Sequence, residues 1–465
     1  MDSFSDAGGG DANLGSDLWK IAWPAVTMNL IHVVNGLMDR VFIGHLPEAA
    51  LAGMGGSMSF IFLMFSLAFS LAVGAGAIVA RAYGAKNPDE YNKASQQSLR
   101  FGFFTGIALW GLSFLLIPLL ALSVFKTNQG EAAGYMKTYL YAFCLGIPMM
   151  TTIQVITSCL RSIGNTRTPM LLSIGQIGSH IVLNYLFIFP PRNGLPGFGW
   201  GIQGAALAFA ASNLLAVFGY IWAIRNSELG THFSFKLPEL QWVKRILRIA
   251  VPSALHAVLR TSSFFIFTLL MSRVPTSEAA LAALGFGITV ESLMFAPSFG
   301  LSVAVGALVG QSLGAKNTRR AEKVGWIGGA WSFFFTALVS VAIFFAVPTI
   351  ADQFLHDKPT VAHELTMMIR ALCFTEPLFC LSMVMIGGLQ GAGDTKAPIW
   401  ITVATLWLLR LPLGAWLALG PTMGLAFGLG MGSLGCWVAM SITQGLGGIM
   451  SAWWWKQGKW KTTVV

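Results

Sequence analysis

An aspartate and an arginine interrupt an apolar stretch near the start of the chain, in NGLMDRVFIGH (35–45). If this stretch crosses a membrane, an ionisable residue within it is a functional candidate. Burial disfavours the charged form of a carboxylate, which can then take up and release a proton. Asp39 is therefore a candidate proton carrier, and the alternative is an anchor paired with Arg40. The long Arg40 side chain is expected to reach the membrane surface.

Further polar residues lie on the same predicted helix and on a later one. Asn35 and His32 precede Asp39 by four and seven residues and can share its face, and Asn29 extends this polar row. A His in such a position is often a hydrogen-bonded structural residue, so both roles stay open for His32. The pair His180 and Asn184 is one turn apart, so its two side chains share a face as well.

The second half of the chain carries four charged residues at about mid-depth in four predicted helices: Arg260, Glu291, Glu376 and Arg410. Two positive and two negative charges predict buried pairing, which can fix a register or act as a switch. Structural pairing is the expected role of Arg410. Glu291 and Glu376 are also candidate counter-charges for a substrate.

Long apolar segments must position these residues. The chain has 465 residues, of which 55% are hydrophobic and 10% charged, whereas soluble domains are about 25% charged. A spanning helix needs about 20 mostly apolar residues. Twelve segments qualify: 18–44, 52–80, 98–123, 134–160, 169–189, 201–224, 245–271, 280–311, 322–348, 362–388, 397–419 and 425–455.

The distribution of basic residues predicts the orientation. Lys and Arg concentrate in the loops after the even-numbered segments and at the carboxyl terminus. By the positive-inside rule both termini are cytoplasmic, in a plasma (inner) membrane. The net charge of +10 then reflects these loops and not a nucleic-acid partner. Residues 1–17, with four Asp and no basic residue, are predicted to form a disordered tail.

The two halves of the chain repeat each other at an offset of 228 to 230 residues. IAWP (21–24) matches IAVP (249–252), GAKN recurs at 84–87 and 314–317, and LRSIGNTRTP (160–169) matches LQGAGDTKAP (389–398). Parallel repeats of this kind are related by an axis along the membrane normal. The predicted fold class is therefore an all-α polytopic membrane protein, with twelve transmembrane helices in two six-helix lobes related by pseudo-two-fold symmetry.

The repeat also divides the chain into domains. The prediction is an amino-terminal lobe at 18–224, a cytoplasmic linker at 225–244, a carboxyl-terminal lobe at 245–455 and a cytoplasmic tail at 456–465. Pro24 and Pro252 are equivalent in the repeat and fall within predicted helices. Because an intramembrane proline permits a kink, both are candidates for helix bending.

Motifs for several chemistries are absent from the sequence. It contains no GxxxxGK[ST] loop and no HExxH, and its five Cys form no CxxC. No cofactor or metal site is predicted, and transport would take its energy from an ion gradient. A membrane-embedded enzyme is a remote alternative, since it would need clustered acids or metal ligands.

The repeated segments resemble the multidrug and toxic compound extrusion (MATE) transporters. The resemblance covers about 18–461 and rests on the order and duplication of DRVFIGHLPEAALAGMG, GAKN, LRSIGNTRTPM, VLNYLFIF, GIQGAALAFAAS, LQGAGDTKAP and GKWK. It implies twelve helices in two lobes and exchange of H⁺ or Na⁺ for organic, often cationic, compounds. Asp39 matches the family's helix-one acid, which is implicated in cation coupling, and His180 with Asn184 matches its helix-five polar pair.

Three departures from the family pattern bear on the coupling ion and the branch. The family pair is usually Asn followed by Asp or Asn, and many relatives carry Thr where this chain has Phe209. Na⁺ prefers oxygen ligands, so His180 and Phe209 favour H⁺, with Na⁺ as the alternative. Arg260 occupies a region where some branches carry an acid, which favours the branch resembling DNA-damage-inducible protein F.

The expected function is secondary active multidrug efflux by a monomer in the lipid bilayer. Its substrates would be amphipathic organic small molecules, and the abundant Met and Phe suit a cavity for varied apolar compounds. The alternative is a lipid-linked oligosaccharide flippase of the same superfamily. Such flippases tend to carry several Arg or Lys facing the cavity, and often extra helices.

Overall fold

The computed structural model describes residues 13–125, 130–191, 196–421, 425 and 427–465, and in these ranges the regular structure is helical. Fifteen α-helices are described: α1 Leu14–Ile43, α2 Glu48–Gly84, α3 Pro88–Phe125, α4 Glu131–Cys144, α5 Ile147–Ser162, α6 Arg167–Ile188, α7 Gly201–Arg225, α8 Leu240–Met271, α9 Ser277–Gly314, α10 Thr318–Phe354, α11 Pro359–Cys373, α12 Glu376–Gly391, α13 Lys396–Thr402, α14 Leu411–Ala418 and α15 Ser433–Gln457.

These helices coincide with the predicted spans. Within the described ranges, nine helical stretches are long and apolar enough to cross a membrane. One of them joins α13 to α14 through a π-helical segment, Val403–Arg410. The pairs α4–α5 and α11–α12 are each bent, by 48° and 59°, and bring the number to eleven. The twelfth predicted span corresponds to α15, whose 25 residues reach about 37 Å at 1.5 Å per residue.

The ends of the chain differ from the prediction. Helix α1 begins at Leu14, so the last residues of the predicted 1–17 tail are helical, while residues 1–12 lie outside the described ranges. Leu14 is buried, and Asp17 forms an ion pair with Arg320 at 3.3 Å. In the predicted 456–465 tail, Trp460 is fully buried and stacks on Trp455 with ring centroids 4.1 Å apart. Apolar burial therefore orders both segments.

The repeated motifs form the same turns in both halves. Lys86 and Lys316, in the two GAKN motifs, both adopt a left-handed conformation, with φ of 54° and 58°. The next residue, Asn87 or Asn317, accepts a hydrogen bond from the backbone three residues later. This contact caps the first turn of α3 or α10. The repeated sequence thus encodes a repeated helix–turn–helix geometry.

The chain divides into two compact units whose boundaries lie inside helices. One unit comprises the described residues up to Val26 together with Pro252–Val464, and the other comprises Thr27–Val251. Leu18 and Ile21 of α1 belong to the core of the Pro252–Val464 unit, together with residues of α9, α12 and α15. The boundaries lie next to the equivalent prolines of α1 and α8. The predicted lobes at 18–224 and 245–455 follow the repeat instead, and they stay a prediction.

Small residues allow equivalent helices to cross closely in each unit. In the Thr27–Val251 unit, Ser158 and Ser162 of α5 donate to the carbonyls of Ala72 and Gly76 of α2, at 2.6 and 2.9 Å. In the Pro252–Val464 unit, Gly387 and Gly391 of α12 lie at the equivalent positions and pack on the backbone of α9. A glycine pair spaced by four residues permits this close approach. Each crossing fixes the bent span that lines the interior of its unit.

Candidate functional site

Helices α1 and α6 bring the predicted polar residues of the Thr27–Val251 unit together around Asp39. Asn184 of α6 donates from Nδ2 to Asp39 Oδ1 at 2.7 Å. Asn35, one turn before Asp39 on α1, donates from Nδ2 to Oδ2 at 3.4 Å. The Asp39 side chain is 27% exposed, whereas Asn184 is 1% exposed. The carboxylate is therefore held by amide donors and stays accessible on one side.

His180 completes this cluster one turn before Asn184. Its Nδ1 lies 3.2 Å from Asn35 Oδ1 and 3.8 Å from Asp39 Oδ1. The imidazole also packs edge-on against Phe209 of α7, with ring centroids 6.5 Å apart. His180 thus bridges the carboxylate and the aromatic wall of the site.

The cluster opens into a cavity of about 260 Å³ within the same unit. Its apolar lining includes Met54, Met58 and Phe65 of α2, together with Phe143 and Phe209, which stack at 4.6 Å. His32, from the polar row before Asp39, also lines this cavity. Asn29 is half-buried on α1 and is not among the described residues that line the cavity.

Sequence reasoning missed several polar residues of this cavity. They come from helices α4 to α7 and include Tyr139, Gln154, Gln176, Asn213 and Tyr220. Gln176 donates to Asn213 at 3.1 Å, and the Tyr220 hydroxyl lies 2.9 Å from Ser173 Oγ. Gln176 was detectable, because it precedes His180 by one turn just as His180 precedes Asn184. The others required the packing of separate helices.

The Asp39 site offers few further oxygen ligands for a bound Na⁺. The described residues contain no group of three or more His, Cys, Asp or Glu side chains that could hold a metal ion. Asn184 Oδ1 is buried and without a hydrogen-bond partner in the structure. His180 presents nitrogen and Phe209 a hydrocarbon ring toward the same space. One amide oxygen is thus available beside the carboxylate.

The Pro252–Val464 unit holds its own buried polar cluster. Glu376 of α12 is 0% exposed and Glu291 of α9 is 7% exposed, and their carboxylates interact electrostatically. Gln444 of α15 donates to Glu291 Oε1 at 3.0 Å. Glu376 Oε2 is buried and has no hydrogen-bond partner in the structure. The two acids are therefore neighbours, and only Glu291 accepts an amide hydrogen bond.

Arg410 belongs to this cluster, and Arg260 does not join it. Arg410 is the last residue of the π-helical segment and interacts electrostatically with Glu291. Its Nε donates to Thr443 at 2.8 Å, and its Nη2 to the Met440 carbonyl at 3.4 Å. Arg260 of α8 lies near His256 instead. The structure thus brings together three of the four predicted charges.

A further buried acid escaped the sequence prediction. Glu364 of α11 is 4% exposed and accepts hydrogen bonds from Ser433 at 2.7 Å and from the Trp437 indole at 3.0 Å. Its position in a short bent helix, near the predicted end of a span, gave no signal for burial. Because both oxygens are hydrogen-bonded, Glu364 has the environment of a structural residue.

Similar proteins share this fold over nearly the whole chain. The probable multidrug resistance protein NorM of Thermotoga maritima is 28% identical over 453 residues, which are 97% of this chain and 94% of the relative. The corresponding Acinetobacter baylyi protein is 26% identical, over 88% of this chain and 90% of its own. A solved outward-facing multidrug resistance MATE family transporter of the MOP superfamily aligns with a TM-score of 0.86. That structure is 20% identical, and the alignment covers 97% of both chains.

The structural similarity confirms the predicted fold class of twelve helices in two six-helix lobes. A family model described as MatE matches residues 24–186 and 252–416. The two matches are as far apart as the internal repeat and begin at the equivalent prolines, Pro24 and Pro252. Since they cover more than half of the chain, the protein belongs to the MatE family.

Proposed function

We propose that this protein is a secondary active efflux antiporter that exports amphipathic, often cationic, organic compounds in exchange for H⁺. The observation that carries this proposal is the Asp39 carboxylate, held by Asn35 and Asn184 at the wall of a cavity with apolar and polar lining. Membership of the MatE family confirms the predicted resemblance and the assignment to transporters and not to enzymes. The branch resembling DNA-damage-inducible protein F stays a prediction.

Proton exchange at Asp39 follows from its surroundings. Asn184 donates to Oδ1 at 2.7 Å, so that oxygen acts as an acceptor, whereas the contact of Oδ2 with Asn35 is longer, at 3.4 Å. Oδ2 is therefore the oxygen at which we place the transported proton. A carboxylate that changes charge inside the cavity changes its attraction for a cationic substrate. Proton binding and substrate binding can then oppose each other at one site, so that proton uptake promotes substrate release.

The chemistry of the neighbouring groups favours H⁺ over Na⁺. A hard cation seeks several oxygen ligands. Beside Asp39 stand the imidazole of His180 and the ring of Phe209, and the buried Asn184 Oδ1 is a nearby oxygen without a hydrogen-bond partner in the described structure. Proton exchange needs one carboxylate, whereas Na⁺ would need ligands that these side chains do not supply.

The cavity lining supports efflux of varied apolar compounds over transport of anionic lipid-linked sugars. Thioether and aromatic side chains from Met54, Met58, Phe65, Phe143 and Phe209 adapt to different apolar shapes. A flippase of lipid-linked oligosaccharides would be expected to carry Lys or Arg in the cavity. The described residues that line the cavity include neither. The proposal includes a monomer in the inner membrane, with both termini in the cytoplasm.

Transport by the purified protein in proteoliposomes tests this proposal. An imposed H⁺ gradient should drive counter-movement of a cationic dye, and Asp39→Asn should abolish it. The matched control is Asp352→Asn, the same change at a side chain that is 81% exposed. It should keep wild-type transport.

Each other outcome has a defined meaning. Transport driven by a Na⁺ gradient alone would overturn the proton assignment. Full transport by the Asp39→Asn protein would remove Asp39 from the coupling step. Absence of transport under both gradients, in protein whose thermal unfolding is normal, would contradict the antiporter function itself.

A further inference from the structure

The segment between α7 and α8 exposes large apolar side chains beside charged ones. Phe235, Leu237 and Leu240 are 74%, 74% and 67% exposed. Lys236 stands between the first two and is exposed as well. An apolar patch of this kind requires an apolar neighbour that the described chain does not supply.

The segment is fastened to the first half of α3. Gln97 and Glu239 exchange two hydrogen bonds, in which Gln97 donates to the Glu239 carboxylate at 3.0 Å and accepts from its backbone at 2.9 Å. Arg100 Nε donates to Ser234 Oγ at 3.0 Å. The exposed side chains are therefore held at fixed positions beside α3, since the backbone around them is bound to this helix.

The face of α3 next to this segment changes from polar to apolar at one turn. Arg100 is followed on the same face by Phe103 and Ile107, at spacings of three and four residues. Only 17% of the most apolar window of α3 is buried inside the protein, as expected for a helix that contacts lipid. Phe233 and Phe235 pack on Phe103, with ring centroids 5.2 and 5.8 Å apart. In a membrane the aromatic rings would therefore lie at the level where the polar part of α3 gives way to its apolar part.

The charges around these rings suit an anionic neighbour. Glu239 is already balanced: hydrogen bonds from Gln241 and from Lys93 lower its pKa, and the Lys93 ammonium lies 3.2 Å away. Lys236 and Lys244 are exposed, and Lys244 follows Leu240 by one turn on the exposed face of α8. Exposed cations interleaved with exposed apolar side chains are typical of segments that lie in the headgroup region of an anionic membrane.

We propose that residues 231–244 form an interfacial anchor that binds anionic phospholipid. Phe235, Leu237 and Leu240 enter the acyl boundary of the leaflet, and Lys236 and Lys244 face the lipid phosphates. The occupant is a membrane lipid and not a free anion, because the cations alternate with side chains that only hydrocarbon would cover. This anchor holds the connection between the two sequence repeats at the membrane surface.

Nitroxide labelling measures the depth of this segment. The five cysteines of the chain are buried and unpaired, so an introduced Phe235→Cys can be labelled selectively. In reconstituted bilayers the nitroxide should be more accessible to oxygen than to a water-soluble nickel chelate. Asp89→Cys is the matched control, because Asp89 lies about 16 Å from Arg100 toward the start of α3 at 1.5 Å per residue. A nitroxide at position 89 should be more accessible to the nickel chelate than to oxygen. A label at position 235 as accessible to nickel as the label at position 89 would overturn the anchor.

Native mass spectrometry can compare how much phosphatidylglycerol and how much phosphatidylcholine the protein retains. This comparison tests the preference of the anchor for anionic lipid. The wild type should prefer the anionic lipid, and Lys236→Gln with Lys244→Gln should lose roughly five-fold for each removed cation. The control, Arg319→Gln with Lys396→Gln, removes two exposed cations elsewhere and should keep the preference. An equal preference in the wild type and the Lys236/Lys244 variant contradicts the proposal. Neither measurement depends on transport, so its outcome is separate from that of the efflux experiment.

Discussion

Glu364 and Glu376 are both buried carboxylates of the Pro252–Val464 unit, and their surroundings differ. Both oxygens of Glu364 accept hydrogen bonds, from Ser433 and from Trp437. Glu376 has one oxygen without a partner in the structure and lies beside a second acid, Glu291. A buried polar group is costly when it is unpaired and inexpensive when it is satisfied. The two acids should therefore respond oppositely to removal of their charge.

Glu364→Gln should destabilise the protein by about 1–3 kcal/mol, because the hydrogen bonds from Ser433 and Trp437 would go to a neutral amide in place of a carboxylate and would be weaker. Glu376→Gln should leave stability unchanged or raise it, since it replaces an ionisable group that lies beside Glu291 and has an oxygen without a hydrogen-bond partner in the structure. Thermal unfolding of the purified variants in detergent measures both. A Glu376→Gln protein that unfolds well below the Glu364→Gln protein would show that Glu376 contributes a stabilising contact.

Single residues were predictable from sequence where one helix decides their neighbours. Asn35 was expected beside Asp39 from its spacing, and the 3.4 Å contact agrees with it. The hydrogen bond from Asn184 joins helices α1 and α6 and could only be suggested through the family resemblance. Arg260 shows the limit: its depth in the sequence matched the other charges, but the direction of its side chain depends on the packing of α8.

At the scale of helices, both repeats contain the same helix crossing, α5 on α2 and α12 on α9, but different side chains form the contact. Ser158 and Ser162 on α5 hold α2 through hydroxyl–carbonyl bonds, whereas Gly387 and Gly391 on α12 hold α9 by close backbone contact. A Cβ atom at Gly391 would overlap the carbonyl of Gly306. The glycine crossing therefore tolerates no side chain at this position.

Gly391→Ala should lower the free energy of unfolding by about 1–3 kcal/mol, because the added methyl overpacks the contact between α9 and α12. Gly285→Ala on α9 is the control, since a Cβ there meets nothing within 4 Å. This control should be neutral or slightly stabilising, as alanine favours the helix. The measurement is the midpoint of thermal unfolding of the Gly391→Ala and Gly285→Ala proteins. Equal midpoints would mean that α9 and α12 can separate without cost.

The extent of the helices was largely predictable, because apolar length alone identifies a span. The bends at α4–α5 and α11–α12 and the π-helical segment Val403–Arg410 were not, since hydropathy carries no information about direction. The last span was predicted to start at 425, but α15 begins at Ser433. Gly430 and Gly432, just before it, adopt left-handed conformations that end regular helix.

At the scale of the whole molecule, the equivalent prolines mark the places where the chain passes between compact units. Val26 is two residues after Pro24, and the second boundary immediately precedes Pro252. A proline removes one backbone hydrogen bond and permits bending there. The sequence identified these prolines but not the unit boundaries. The repeat is found by comparing the two halves of the sequence, whereas the units depend on which residues pack together in the folded chain.

Pro24→Ala and Pro252→Ala should slow dye efflux by about ten-fold, which corresponds to about 1.4 kcal/mol on a bending step. Alanine restores the backbone donor and stiffens the helix, so thermal stability should not fall. Pro118→Ala, inside α3 and away from both boundaries, is the control. Initial efflux rates in proteoliposomes provide the measurement; equal rates for all three variants would exclude bending at the boundaries as the slow step.

Helices α1 and α8 each contribute residues to both compact units, and this has a consequence for the assembly of the chain. Leu18 of α1 is buried in the core of the Pro252–Val464 unit, and Ile246 of α8 is buried in the core of the Thr27–Val251 unit. A gene divided within 225–239 would therefore yield two fragments that each lack a piece of their own core. Neither fragment is complete alone, and each carries the segment that the other lacks. Co-expressed fragments should restore the protein by exchange of these segments, whereas either one by itself should be degraded.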